Sequence, residues 1–92
     1  MMCLVFWDKK IIDGVYRKLS SRNILYTQLY LPDQIWSIVL EFSTPPIEQG
    51  YECIANEVYF LFDTAPHYLL ADGFKFDFLD GPRKIGECIV TT

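Results

Sequence analysis

The sequence predicts an all-β domain, a small six-stranded antiparallel β-barrel, on three observations. Short runs of alternating apolar and polar residues recur along the chain, and turn-forming residues separate them. The clearest case is residues 70–92, in which phenylalanines at every second position precede a tight turn and a second run. Outside residues 8–21, no segment has a helical pattern. A closed barrel is favoured because closure removes the exposed sheet edges that promote aggregation.

Length and composition predict a single domain that fills its core without a disulfide or a metal. The chain has 92 residues, of which 51% are hydrophobic and 16% are aromatic. Its net charge of -4 argues against wholesale nucleic-acid binding. The charge is uneven, since residues 1–44 hold five basic and four acidic residues, whereas residues 45–92 hold three and eight.

The cysteines and the first residues predict a cytoplasmic protein that does not contact a membrane. Cys3, Cys53 and Cys88 are odd in number and far apart, without a CxxC pair. Isolated thiols are typical of a reducing compartment, where cysteine behaves as a small apolar residue. The apolar run at residues 1–7 is too short for a signal peptide or a transmembrane helix.

The first two segments differ in how clearly they predict structure. Residues 2–7 are apolar and rich in β-forming side chains, which predicts the first strand. Residues 8–21 fit either a helix or a long irregular loop. Their apolar residues follow a helical stripe, but Gly14 interrupts it and no clean cap precedes it. A loop is favoured because the other segments are predicted to be strands.

The rest of the chain supplies five predicted strands. Residues 24–31 and 35–42 each alternate between an apolar face and a polar or tyrosine-bearing face. Residues 43–50 hold two prolines and a glycine, which predicts a loop. Residues 53–63 are predicted to form a single strand. Its inward face is predicted to hold Ile54, Val58, Phe60 and Phe62. The last two strands form a hairpin about Gly81.

The segment GFKFDFLDGPRKIGECIV, residues 73–90, carries glycines, a phenylalanine, an arginine and a valine at characteristic spacings. These residues are Gly73, Phe76, Gly81, Arg83, Gly86 and Val90. The pattern resembles the last hairpin of the C-terminal β-barrel, domain III, of elongation factor Tu. The segments WSIVLEF and VYFLFDTAPHYLLADG also look similar to short stand-alone relatives of that barrel.

The resemblance implies a fold rather than an activity. Elongation factor Tu hydrolyses GTP with a separate domain, and this chain has no GxxxxGK[ST] loop. In that factor the barrel binds tRNA and neighbouring domains through parts that align poorly with this chain. We therefore carry over the barrel and not the tRNA contacts, because a fold alone is a weak basis for function.

No residue pattern points to catalysis, a metal or a cofactor. His67 is the only histidine, and it follows a proline in a predicted turn. None of the cysteines has a basic neighbour in sequence that would activate its thiol. Asp72, Asp77 and Asp80 lack the spacing of an EF-hand calcium loop. The sequence therefore predicts a protein that is not an enzyme.

Two groups of residues are the predicted binding sites. The first is a basic loop on an otherwise acidic protein, formed by Lys9, Lys10, Arg17, Lys18 and Arg22. The second is an exposed aromatic face, formed by Tyr26, Tyr30 and Tyr59. Basic clusters bind phosphate or acidic partners. Tyrosine is favoured at protein interfaces because it combines a large contact area with a polar hydroxyl.

These features predict a non-catalytic protein-binding module whose partner is a protein. An inhibitor, or an immunity-type protein that neutralises a toxin, fits this size and charge. The alternative is a translation-associated RNA-binding accessory protein that uses the basic loop at residues 9–22. Salt distinguishes the two hypotheses, because RNA binding weakens steeply with salt and a tyrosine-centred interface responds much less.

Overall fold

The computed structural model describes residues 1–9 and 18–92, and it confirms the all-β class. The strands of this part are β1 Met2–Trp7, β2 Ile24–Tyr30, β3 Ile35–Glu41, β4 Glu52–Ala55, β5 Glu57–Phe60, β6 Lys75–Asp80 and β7 Arg83–Thr91. Two helical turns accompany them, α1 at Pro46–Gln49 and a 3₁₀ turn at His67–Leu69. In the described ranges, no helix is long and apolar enough to span a bilayer. The predicted loop at 8–21 falls mainly on residues 10–17, outside the described residues.

The strands of the described chain form one seven-stranded antiparallel sheet, in the order β4-β1-β7-β6-β2-β3-β5. This order is not closed, because β4 and β5 lie at its two ends and do not pair with each other. These end strands are nevertheless consecutive in the chain, with Asn56 alone between them. The end strand β5 also contacts the residue before β1, the neighbour of β4, because the Val58 amide donates to the Met1 carbonyl with an N···O distance of 3.1 Å. The sheet thus differs from the predicted six-stranded barrel in strand count and in closure.

The prediction of a single strand at residues 53–63 is wrong, because Asn56 divides that segment into β4 and β5. The Asn56 side-chain oxygen accepts a hydrogen bond from the Ser43 amide at 2.7 Å, which holds this residue outside the ladder. One residue of interruption reverses which side chains point inward. Ile54, predicted to face inward, is therefore exposed, and Phe62, also predicted to face inward, lies after the end of β5 and is exposed there. The inward positions belong to Cys53, Ala55, Val58 and Phe60.

The core lies on the inward side of the sheet and draws on most of its strands. Its largest fully buried side chains include Phe78, Leu29, Ile38 and Leu40. Trp7 contacts Phe78 edge to face, with ring centroids 5.1 Å apart, so β1 packs against β6 across β7. The buried Thr27 hydroxyl donates to the Ile38 carbonyl at 3.2 Å and is therefore satisfied. Burial of each large apolar side chain contributes about 1.5–3 kcal/mol.

The β6–β7 hairpin depends on two glycines. Gly81 has a φ of +60°, the left-handed value that a two-residue hairpin turn requires at its first position. Side chains of β2 hold this turn. Gln28 Oε1 accepts from the Gly81 amide, and the Tyr30 hydroxyl donates to the Gly81 carbonyl, both at 2.8 Å. Gly86 lies where β7 passes over Phe78, and a β-carbon there would be 2.5 Å from the Phe78 ring.

The segment at residues 43–50, predicted to be a loop, contains the one-turn helix α1. Pro46 lies in its first turn, where the missing amide hydrogen removes no helical hydrogen bond. The helix directs Gln49 to the outer edge of β4. Gln49 Oε1 accepts from the Ile54 amide at 2.7 Å, and its Nε2 donates to the Ile54 carbonyl at 3.1 Å. A side-chain amide thus takes the place of a neighbouring strand at this edge.

Candidate interaction surfaces

The predicted tyrosines lie on one outward side of the sheet, formed by β2, β3 and β5, which we call the tyrosine face. Tyr26 is 67% exposed, while Tyr30 and Tyr59 are 43% and 38% exposed. Tyr26 and Tyr59 are the register neighbours of Val39, one on β2 and the other on β5. Val39 is fully buried although it is not part of the core cluster. The tyrosine face therefore has an apolar centre of its own.

Two of the three tyrosine hydroxyls bond within the protein. Tyr30 holds the Gly81 turn, as described above, and the Tyr59 hydroxyl donates to a carboxylate oxygen of Glu41. The hydrogen bond to Glu41 raises the pKa of Tyr59 to about 12. The Tyr26 hydroxyl has no hydrogen-bond partner among the residues that the structure describes, so of the three tyrosine hydroxyls it is the one that a partner can bind without breaking a bond within the described residues.

Carboxylates border the tyrosine face. Glu41 and Glu57 lie directly opposite each other on β3 and β5. Glu57 is also 3.0 Å from the Met1 amino nitrogen, in an exposed ion pair. Like charges placed opposite each other on neighbouring strands repel. A basic side chain of a partner would relieve that repulsion.

Three residues of the predicted basic loop, Lys9, Lys18 and Arg22, are exposed. None of them forms an ion pair with another described residue. Lys18 and Tyr26 line the same groove, of about 240 Å³, so the structure brings one residue of each predicted site together. Lys10 and Arg17, the other two predicted basic residues, lie outside the described residues.

The cysteines are buried in the sheet, whereas the histidine is exposed. Cys3, Cys53 and Cys88 are buried and free. Burial raises the pKa of the Cys53 and Cys88 thiols, which keeps them protonated and poorly nucleophilic. His67 is exposed, its Nε2 lies 3.1 Å from the Asp63 carbonyl oxygen, and its ring contacts a phenylalanine edge to face. Within 1–9 and 18–92, no three His, Cys, Asp or Glu residues are grouped to hold a metal.

Sequence reasoning missed a second outward surface, on β4, β1 and β7. We call it the outer apolar patch. Its members are Met2, Leu4, Phe6, Ile54 and Ile89. The first four are 36–44% exposed, and Ile89 is half-buried. One signal was present in the sequence: β1 is apolar at both odd and even positions, although an exposed antiparallel strand normally alternates.

The register of the sheet arranges this surface in two rows. In one row Leu4 lies between Ile54 on β4 and Ile89 on β7. In the adjacent row Phe6 lies between Glu52 and Glu87, on the same two strands. A groove of about 540 Å³ runs beside Phe6 toward β6. An apolar row and an acidic row therefore lie side by side.

No family model, no curated protein and no solved structure matches this chain. We therefore infer function from the two surfaces and from the basic residues described above.

Proposed function

We propose that this chain is a non-catalytic protein-binding module of the cytoplasm that binds its partner through the tyrosine face. One observation carries the proposal. Tyr26 exposes two thirds of its surface beside the buried Val39, and its hydroxyl has no partner among the described residues. A rigid aromatic side chain at the centre of a contact area is typical of residues that dominate binding energy.

The charge around this face favours a basic partner. Glu41 and Glu57 face each other next to Tyr59, and the whole chain carries a net charge of -4. Complementary charge speeds association and selects partners more than it strengthens contacts. An inhibitor or immunity-type protein that covers a basic site on a toxin or an enzyme has these properties.

The fold proposed for this module is a six-stranded barrel similar to domain III of elongation factor Tu. Its support is the continuity of β4 and β5 across Asn56, since these strands lie at opposite ends of the sheet. Counted as one bent strand, they reduce the strand number from seven to six and link the two ends of the sheet. The hairpin spacing of Gly81 and Gly86 supports the same proposal.

The second candidate function is RNA binding as an accessory of translation, through the basic loop. Its support is that Lys9, Lys18 and Arg22 are exposed and have no ion pair in the described part of the chain. Lys18 also lines a groove with Tyr26, and a lysine beside an exposed aromatic ring suits single-stranded nucleic acid. The overall negative charge disfavours this candidate relative to the first.

The test is a pull-down from a lysate of the source cell, at low and high salt, with and without nuclease. The variants are Tyr26→Ala and, as a matched control, Tyr68→Ala, which removes an 82% exposed tyrosine outside the tyrosine face. We expect to recover a partner protein whose binding persists after nuclease treatment and at high salt. Tyr26→Ala is expected to lower the amount of this partner recovered at least about tenfold relative to Tyr68→Ala.

Two results would contradict this proposal. Recovery of RNA that nuclease and salt remove, and that Lys18→Glu with Arg22→Glu abolishes, would assign the function to the basic loop. Capture of the same protein by wild type, Tyr26→Ala and Tyr68→Ala alike would place the interface elsewhere on the molecule.

A further inference from the structure

The outer apolar patch has features of a binding surface that are independent of the tyrosine face. It lies on β4, β1 and β7, and β6 separates these strands from β2 in the sheet. We propose that this patch docks an amphipathic helix of a partner protein, with lysine or arginine along one flank of its apolar stripe. The module would then have two distinct contact surfaces.

The acidic row specifies the basic flank of that helix. Glu52 and Glu87 stand on either side of Phe6, and Asp77 follows Glu87 on β6. Lys84 Nζ lies 3.1 Å from Glu87 Oε1 and 3.8 Å from Asp77 Oδ1, so one ammonium group pairs with two carboxylates. Glu52 has no ion pair within the described residues. Three carboxylates against one ammonium leave this row acidic, although Lys75 stands at the far end of the apolar row.

The same charges argue against other occupants. A second copy of this chain would bring its own acidic row to the contact, where like charges repel. The acidic leaflet of a membrane and the phosphates of RNA would be repelled in the same way. A basic protein segment is the occupant that both rows favour.

The dimensions of the patch suit a short helix. Strands lie about 4.8 Å apart, so the rows extend about 14 Å from β4 to β6. A helix rises 1.5 Å per residue, so about ten residues, nearly three turns, cover that distance. The groove beside Phe6, of about 540 Å³, is bordered by Asp77 and Glu87 at one side and by Lys75 near the apolar row, and it has room for a lysine or arginine side chain.

The β4 edge of the sheet, next to the patch, is closed at Ile54 to an alternative mode, the addition of a strand. A peptide that extended the sheet at β4 would need the free amide and carbonyl of Ile54. The Gln49 side chain already bonds to both groups. The partner is therefore expected to lie across the face of the sheet and not along its edge.

The experiment uses a labelled synthetic 14-residue peptide with leucines on one stripe and lysines along one flank. A twin peptide has glutamate in place of each lysine. Fluorescence anisotropy gives the dissociation constants, and amide shifts of the isotope-labelled full chain locate the site. We expect the lysine peptide to bind at least about tenfold more tightly than its twin, with shifts at Leu4, Phe6 and Glu87.

Two variants test the two rows separately. Leu4→Gln, in the centre of the apolar row, is expected to weaken the lysine peptide about tenfold. Glu52→Lys is expected to weaken the lysine peptide and to strengthen the glutamate twin, which a merely unfolded variant cannot do. Ile35→Gln changes an exposed isoleucine on β3, away from the patch, and should alter neither affinity by more than about twofold.

Four results would overturn the proposal. In the first, the lysine peptide does not bind the folded wild type, and in the second, the amide shifts map to Tyr26 and Tyr59. In the third, ultracentrifugation shows a dimer that Leu4→Gln dissociates. In the fourth, the protein floats with phosphatidylserine vesicles and Leu4→Gln abolishes that flotation. The last two would assign the patch to a second copy and to a lipid surface. Because the tyrosine face is intact in Leu4→Gln and Glu52→Lys, failure here leaves the proposed function untouched.

Discussion

Both outward surfaces of the sheet carry large side chains, but these side chains differ in what they do for the fold. On the tyrosine face, Tyr30 holds the Gly81 turn and Tyr59 bonds to Glu41. Val39 is buried between its tyrosine neighbours. On the outer apolar patch, no side chain has a hydroxyl or amide to contribute, and Met2 at one end remains 40% exposed.

The difference separates two meanings of exposure. An aromatic residue with a hydroxyl can be exposed and still stabilise the protein, because its ring covers a neighbour and its oxygen bonds to the backbone. An exposed aliphatic side chain contributes little to the stability of the fold by comparison. A contiguous group of such side chains therefore needs another explanation, such as a binding partner. Within the tyrosine face, Tyr26 is closest to this second class.

The largest expected effect comes from the backbone beneath the outer apolar patch, at Gly86. In Gly86→Ala the new β-carbon would lie 2.5 Å from the Phe78 ring and 2.6 Å from the Phe6 carbonyl oxygen. The carbonyl oxygen belongs to a paired strand and cannot move freely, so we expect a loss of about 3 kcal/mol in the free energy of unfolding. Urea denaturation followed by tryptophan fluorescence measures it.

Gly81→Ala is the control for this substitution. Gly81 also has no side chain, but no atom lies within 4 Å of the position that a β-carbon would take there. Its φ of +60° makes alanine strained, and we expect a loss of about 1 kcal/mol. Equal losses for the two variants would show that crowding at Gly86 is not what requires glycine.

Effects of intermediate size are expected when one residue of each surface is truncated and the losses in the free energy of unfolding are compared. Val39→Ala removes two buried methyl groups from the tyrosine face, and we expect it to lower the free energy of unfolding by about 2 kcal/mol. Leu4→Ala, in the centre of the outer apolar patch, should cost less than about 1 kcal/mol, because Leu4 is already 36% exposed. Thermal and urea unfolding of both variants give the comparison. A Leu4 loss as large as that of Val39 would mean that the patch serves folding and not binding.

The sequence predicted which face of a strand is buried where apolar and polar residues alternate. It could not predict the buried face of a strand that is apolar on both sides. β2 alternates leucines with tyrosines, so its two faces were assigned correctly. β1 is apolar at every position, and alternation could not show that Leu4 points outward. The tyrosine face was therefore predicted, whereas the outer apolar patch was not.

The second failure has a different cause, a tertiary contact that breaks a strand. The segment 52–60 has a continuous β-type pattern, and the local signal at Asn56 is weak, namely that asparagine is uncommon within strands. Asn56 leaves the ladder because its side chain and backbone bond to the loop after β3 and to the end of that strand. Such partners are distant in sequence, so the reversal at Ile54 could not be foreseen.

The smallest expected effect concerns the Tyr59 hydroxyl, and it tests whether the tyrosine face stabilises the fold. Because Glu41 raises the pKa of Tyr59 from 10 to about 12, the folded protein holds this proton more tightly than the unfolded chain does. The resulting stabilisation is fully present below pH 10 and is lost as the pH rises through 12. Since the pair is exposed, it amounts to less than about 1 kcal/mol.

Tyr59→Phe removes that hydroxyl, so the variant should be slightly less stable than wild type at pH 8, and the difference should vanish by about pH 12. Urea unfolding of both proteins at several pH values between 8 and 12 measures the difference between their free energies of unfolding. The other tyrosines titrate in both proteins, so their contribution cancels in this difference. Tyr26→Phe, whose hydroxyl has no partner among the described residues, should match wild type at pH 8. A loss at Tyr26 equal to that at Tyr59 would remove the distinction between the tyrosine that supports the fold and the one that we assign to a partner.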